Sequence, residues 1–178
     1  MKRLSWSQTW RQLERDGFDL GDRTPTGRPF HPRKMPSFDD KRRGFGFFKE
    51  GLEDGDMSNL SLSRLFVGRS RFKEVDFSNS DLSESRLCWN DFVNCRFQHA
   101  ILKGCDGRAS IWKKCDFRDA DLSRCDWRHS RFVKCRFESA LCEGMRLTRD
   151  QNGHLELDEQ QLAQVHWCED AGDEPEGG

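Results

Sequence analysis

Apolar residues recur at every fifth position along most of this chain, in the series Phe47, Leu52, Met57, Leu62, Val67, Phe72, Phe77, Leu82, Leu87, Phe92, Phe97, Leu102, Gly107, Trp112, Phe117, Leu122, Trp127, Phe132, Phe137, Cys142 and Leu147. Gly107 is the one break. From Ser70 onward a second, mostly small series lies two residues before each of these: Ser70, Val75, Ser80, Ser85, Asn90, Cys95, Ala100, Cys105, Ser110, Cys115, Ala120, Cys125, Ser130, Cys135 and Ala140. The other three positions of each pentad are mostly polar, and Asp or Arg often stands directly before the central residue, as at Asp76, Asp81, Asp91, Asp116, Asp121 and Asp126. A period of five fits neither an α-helix nor a flat strand.

The pentads are themselves grouped in twenties. Phe77, Phe97, Phe117 and Phe137 form one column, Leu62, Leu82, Leu102 and Leu122 a second, and Cys95, Cys115 and Cys135 a third. This superperiod predicts that four pentads make one square coil and that successive coils stack as parallel strands about 4.8 Å apart. About five coils would make a rod on the order of 25 Å long. Gly107 has a candidate compensation in the next residue of its column, Trp127, whose bulk would fill the space left by the missing side chain.

Segments such as Ser80-Asp81-Leu82-Ser83-Glu84 and Ala120-Asp121-Leu122-Ser123-Arg124 resemble the motif of the pentapeptide-repeat proteins: a small residue, Asp or Asn, Leu or Phe, then two polar residues. The resemblance covers roughly residues 47–149. It implies an all-β fold, a right-handed quadrilateral parallel β-helix (solenoid), and it says little about function because one scaffold serves several roles.

A solenoid needs caps at both ends, where core and strand edges would otherwise be exposed. Residues 1–46 read as an N-terminal helix and irregular capping segment: Trp6, Trp10 and Leu13 fall at helical spacing before Gly17, and a Pro- and Gly-rich loop follows over about 21–46. Residues 150–168 read as a C-terminal helical cap. There Asp158-Glu159-Gln160-Gln161 forms a capping box, Leu157 and Leu162 a hydrophobic staple, and a helix is expected over 159–166 with Leu155, Leu162, Val165 and Trp167 inward. Residues 169–178 read as an acidic disordered tail.

Only 34% of the 178 residues are hydrophobic and 34% are charged, so the apolar residues must be arranged economically to make a core at all. The net charge of −1 conceals an asymmetry. Lys and Arg against Asp and Glu count 12 to 10 over residues 1–59, 18 to 12 over 60–149, and 0 to 9 over 150–178. Net charges of +2, +6 and −9 describe a basic body with an acidic end. With no basic-then-apolar leader after Met1 and no long apolar run, the expected location is cytoplasmic, where cysteines stay reduced.

The candidate chemistry is that of binding. Cys95, Cys105, Cys115, Cys125 and Cys135 occupy the small interior positions, where cysteine acts as a small hydrophobe rather than a metal ligand. His31, His99, His129, His154 and His166 share no motif, and no phosphate loop, dinucleotide fingerprint or paired-His motif is present. Neither an enzyme nor a cofactor is expected. One outer face should present Trp89, Arg108, Arg128 and His129, and its neighbour Val93, Ile111, Lys113, Lys114, Arg131, Val133 and Lys134, a mix of anchors and bases suited to an interface. Charge reversal at Arg108 and Arg128 is expected to weaken a partner complex and leave folding intact.

These features favour a protein-binding inhibitor, most concretely an immunity protein that neutralises a bacterial toxin, acting as a monomer or homodimer on a protein partner (a toxin or other enzyme). Some pentapeptide-repeat proteins inhibit DNA gyrase by resembling duplex DNA. That alternative, a gyrase or topoisomerase regulator, meets the difficulty that these repeats carry net +6. A nucleic-acid-binding basic solenoid is disfavoured by the lack of a recognised reading module and by the small number of outward aromatics for stacking. No membrane association is expected.

Overall fold

The computed structural model describes residues 2–17, 46–48 and 51–169. Helix α1 (Trp6–Arg15) precedes strands β1 (Gly46–Phe48), β2 (Gly51–Glu53), β3 (Phe66–Gly68), β4 (Arg71–Lys73), β5 (Asp91–Val93), β6 (Ile111–Lys113), β7 (Arg131–Val133) and β8 (Arg146–Thr148). A 3-10 turn (Arg149–Gln151), helix α2 (Glu159–Gln164) and strand β9 (His166–Cys168) complete it. All ladders are parallel and in register at an offset of twenty, as in Phe72↔Phe92↔Trp112↔Phe132 and Asp76↔Arg96↔Asp116↔Arg136. The molecule is the expected right-handed quadrilateral parallel β-helix, with about six turns.

The pentad makes a square because each short extended segment ends on a left-handed residue. Asn79, Glu84, Trp89, Asn94 and the other non-glycine residues at these corners have φ between 53° and 61°. On three faces the corner is also closed by a bond across four residues, as where the Ser80 N–H donates to the Phe77 carbonyl (3.1 Å) and the Ala120 N–H to that of Phe117 (3.1 Å). The Asp before the central residue secures the same turn: Asp76, Asp81 and Asp121 accept the N–H two residues on at 2.9, 2.9 and 3.0 Å. Large residues sit at mid-face and small ones at corners, where two faces converge and only a small side chain fits.

The interior is a set of stacked columns. Phe77, Phe97, Phe117 and Phe137 stack with centroids 5.0, 5.0 and 5.2 Å apart, and edge-to-face contacts link them to the column Phe72, Phe92, Trp112 and Phe132. Gly107 is explained by its neighbour: a Cβ there would lie 2.6 Å from the Trp127 ring, which occupies its volume. Cys95, Cys105, Cys115, Cys125 and Cys135 are buried at the corners as expected, and their thiols lie against carbonyls, Cys105 on Leu82 and Cys125 on Leu102 at 2.9 Å each. All eight cysteines are free, and burial pushes the Cys142 thiol up to about 12.

Both ends are capped. Helix α1 begins at a capping box between Ser5 and Gln8, buries Leu13, and is pinned to the first coils: the Leu4 N–H donates to the Asn59 carbonyl (2.8 Å) and the Ser61 N–H to Thr9 Oγ1 (2.9 Å). At the other end Gln151 Nε2 donates to the Trp127 and Ser130 carbonyls (2.9 and 2.6 Å), and Gln161 Nε2 to those of Phe137 and Ala140 (2.7 and 2.9 Å). These amides do for the last coil what Ser110 Oγ does for the Leu87 carbonyl inside the rod. The Asp158 capping box forms, but α2 stops at Gln164, short of the expected 166, because His166–Cys168 enters β9 and pairs with β8 at the same offset of twenty. Residues 150–168 therefore build one more coil without pentads, which is why counting pentads gives about five turns. The Trp10 and Phe47 side chains, His31, the loop expected over 21–46 (its last residue, Gly46, opens β1) and residues 170–178 lie outside the described residues. Among those described, no helix is long and apolar enough to cross a membrane.

Candidate protein-interaction surface

Two adjacent faces meet at the corner column Trp89, Ala109 and His129. The first, whose mid-face column is Leu87, Gly107, Trp127 and Leu147, presents Arg108 and Arg128. The second, built on Phe72, Phe92, Trp112 and Phe132, presents the outer edges of β5, β6 and β7. The structure brings all eleven candidate residues onto this corner and its two faces: Trp89, Arg108, Arg128 and His129 on one, Val93, Ile111, Lys113, Lys114, Arg131, Val133 and Lys134 on the other.

The first face uses its charge internally. Arg108 binds Asp106 through Nε and Nη2, both at 2.9 Å, and Arg128 binds Asp126 in the same way at 2.9 Å. Arg146 Nη1 reaches the same Asp126 at 3.2 Å. Arg128 keeps only 11% of its side chain exposed and Arg108 28%. Burial alone would push the Asp106 carboxyl up, but hydrogen bonds from Arg108 and Cys88 outweigh it and hold the group below its ordinary value. The bond to Asp106 in turn raises Arg108, against the opposing effect of burial. The expectation that reversing Arg108 and Arg128 leaves folding intact is thereby corrected: each is half of a partly buried, bidentate ion pair.

The sequence carries a signal for these pairs that the reading of Asp as a turn residue overlooked. Asp106-Gly107-Arg108, Asp116-Phe117-Arg118 and Asp126-Trp127-Arg128 each flank an inward central residue, so acid and base leave the strand on the same side. Arg118 binds Asp116 accordingly, at 2.7 Å.

The second face is different. Ile111 is 42% exposed, Trp89 at the shared corner is 50% exposed, and Val93 and Val133 are half-buried beside them. Lys113, Lys114, Arg131 and Lys134 are exposed, and among the described residues none of the four is in an ion pair. Nearer the N-terminus the same face mixes signs, with Glu53, Glu74 and Asp91 beside Arg71 and with Lys73 bonded to Glu53. Only its last two coils, at residues 111–114 and 131–134, carry bases and no acid from the strand through the following corner.

Other polar groups are occupied or scattered. A hollow of about 430 Å³ is lined by Asp54, Gly55, Asp56, Glu74, Asp76, Asn94 and Arg96, without the apolar walls of a ligand pocket, and Arg96 within it binds Asp76 at 2.9 Å. His99 and His129 are exposed at corners, and no group of three metal-ligating side chains converges among the described residues.

Parallel coils of four pentads with left-handed corners define a class of β-solenoid, and comparison with known proteins identifies it. The family model for pentapeptide repeats matches eight copies over residues 70–106 and 115–149, so the coils of this segment are pentapeptide repeats. No curated protein matches the chain. Among solved structures it is similar to a pentapeptide repeat protein, Rfr23, from the cyanobacterium Cyanothece 51142, with 14% identity, 77% of this chain and 99% of that one covered, and a TM-score of 0.52. QnrB1, a plasmid-mediated fluoroquinolone resistance protein, aligns at 16% identity over 72% of this chain and 78% of its own, with a TM-score of 0.34. At such identities the likeness concerns the fold alone.

Proposed function

We propose that this protein is a non-enzymatic inhibitor that binds another protein through the β5–β7 face and the Trp89 corner, and that its partner is a bacterial toxin. The observation that carries the reading is the composition of that surface: half-exposed Trp89 and Ile111, flanked by Val93 and Val133, lie among four bases that form no ion pair among the described residues. Apolar anchors within a charged rim are the anatomy of a protein interface. Trp89 adds to this, because its backbone is left-handed (φ 61°), a conformation that Asn94, at the next corner, accepts far more readily than a bulky aromatic. A large side chain kept outward on such a backbone favours a role beyond packing. The non-enzymatic reading is supported by carboxylates of the repeats such as Asp81, Asp106 and Asp126, which are engaged in turns and ion pairs, and by the hollow at Asp54, Asp56, Glu74 and Asp76, which has no apolar walls to hold a substrate.

The test is capture from the organism that encodes the chain, followed by reconstitution. The tagged protein is used as bait with nuclease-treated lysate, and the captured protein's activity is assayed with and without added chain. Inhibition near a 1:1 ratio, lost with Lys113→Glu/Lys134→Glu, supports the inhibitor reading, and a toxin as the captured protein supports its particular form. Capture of a topoisomerase under the same criteria would assign a regulatory role instead. Capture that nuclease abolishes would contradict a protein partner.

A further inference from the structure

The basic end of the β5–β7 face and the acidic C-terminal segment are complementary in charge and joined in sequence. Residues 111–114 and 131–134 contain Lys113, Lys114, Arg131 and Lys134 and no acid, whereas residues 170–178 contain Asp170, Asp173, Glu174 and Glu176 and no base. The described chain delivers that segment to the right place. Strand β9 ends at Cys168, and Glu169 follows in the corner column of His129 and Arg149, at the edge of the same face. There the acid-to-base contact has already begun: Arg149 Nε donates to Glu169 Oε1 at 2.6 Å.

We propose that residues 170–178 bind in cis to the basic end of the β5–β7 face, over Lys113, Lys114, Arg131 and Lys134, as a built-in competitor for that surface. Nine residues reach up to about 30 Å when extended. Lys134 lies across one face and two coils from Glu169, each coil a rise of about 4.8 Å. Residues 18–45 also lie outside the described part, but they carry seven bases against four acids, so their net charge does not complement this face. Tethering raises the local concentration of the segment to the order of millimolar, so even a weak contact competes with an external ligand. The inference does not depend on the partner's identity. Where this face is also the partner surface, the partner must displace the segment.

Zero-length carbodiimide cross-linking of the full chain at low concentration, with the links mapped by mass spectrometry, tests it. The expected links join Asp170, Asp173, Glu174 or Glu176 to Lys113, Lys114 or Lys134, and their yield falls at least fivefold in high salt, as exposed charges are screened. Links spread equally over Lys2, Lys73 and Lys103, or none to the three named lysines, would overturn the proposal. A second readout uses a synthetic peptide of residues 169–178. It should bind the chain carrying Asp170→Asn, Asp173→Asn, Glu174→Gln and Glu176→Gln at least about fivefold more tightly than the native chain, whose own segment competes. Equal affinities would overturn the proposal. Loss of partner capture in Lys113→Glu/Lys134→Glu without these links would leave the partner surface standing and remove only the C-terminal segment.

Discussion

Two neighbouring faces of this solenoid carry similar basic residues and use them in opposite ways. On the face of Arg108 and Arg128 each guanidinium lies flat against an aspartate of its own strand. On the face of Lys113, Lys114, Arg131 and Lys134 the same outward geometry leaves the cations without an acid among the described residues, because the positions beside them hold Ile111, Val133 or another base. Net charge therefore overstates how much of this rod can attract a partner. What matters is whether an acid stands two positions away on the same side of the segment, as for Arg108 and Arg128, or one coil away in the same column, as for Arg96 and Arg146.

The comparison holds only if the pentad register fixes which side chains face out, so the largest expected effect lies in the interior. Phe117→Ala removes a ring stacked between Phe97 and Phe137 and should cost about 3–5 kcal/mol. For a chain of this size that lowers the melting temperature by about 10 °C. A shift no larger than that of Lys113→Ala would refute the register.

Gly107→Leu, which restores the apolar series, should destabilise by about 1–3 kcal/mol, because the new side chain meets the Trp127 ring. Combining it with Trp127→Leu should recover most of the loss. Additive effects of the two substitutions would show that the ring does not fill the glycine's space.

Acid should weaken the paired face. Asp106 and Asp116 sit below their ordinary values in the folded protein because hydrogen bonds from Arg108 and Arg118 outweigh burial. Their contribution is complete above the unfolded carboxylate range near pH 4 and disappears as pH falls through the lower folded values. Between about pH 5 and pH 3, Asp106→Asn should lose less stability than the native chain. Parallel pH profiles would contradict this.

Much of the fold is legible in the sequence because the repeat is a statement about packing: Phe97, Leu102 and Cys105 recur with partners twenty residues on, and each column lies where the spacing puts it. Residues 150–168 were not legible as a coil, because a 3-10 turn and a short helix replace pentads there and only the backbone bonds, such as His166 N–H to the Met145 carbonyl (2.8 Å), preserve the offset. For the candidate surface, spacing places Trp89, Ile111 and Lys134 outside but does not say which bases are engaged. The Asp-x-Arg pattern at Asp106, Asp116 and Asp126 does say so, once both residues are seen to leave the strand on one side.

The smallest expected effect belongs to the unpaired face, and setting it against the paired one tests the account most directly. The measurement is thermal unfolding of Arg108→Glu/Arg128→Glu and of Lys113→Glu/Lys134→Glu at neutral pH, side by side with the native chain. The first variant strands two aspartates opposite new acids and should lose about 1–3 kcal/mol, a drop of several degrees. The second alters exposed charges that form no ion pair among the described residues and should stay within about 0.5 kcal/mol of the native chain. Equal shifts in the two variants would contradict the account, since the faces would then not differ in how their charge is used.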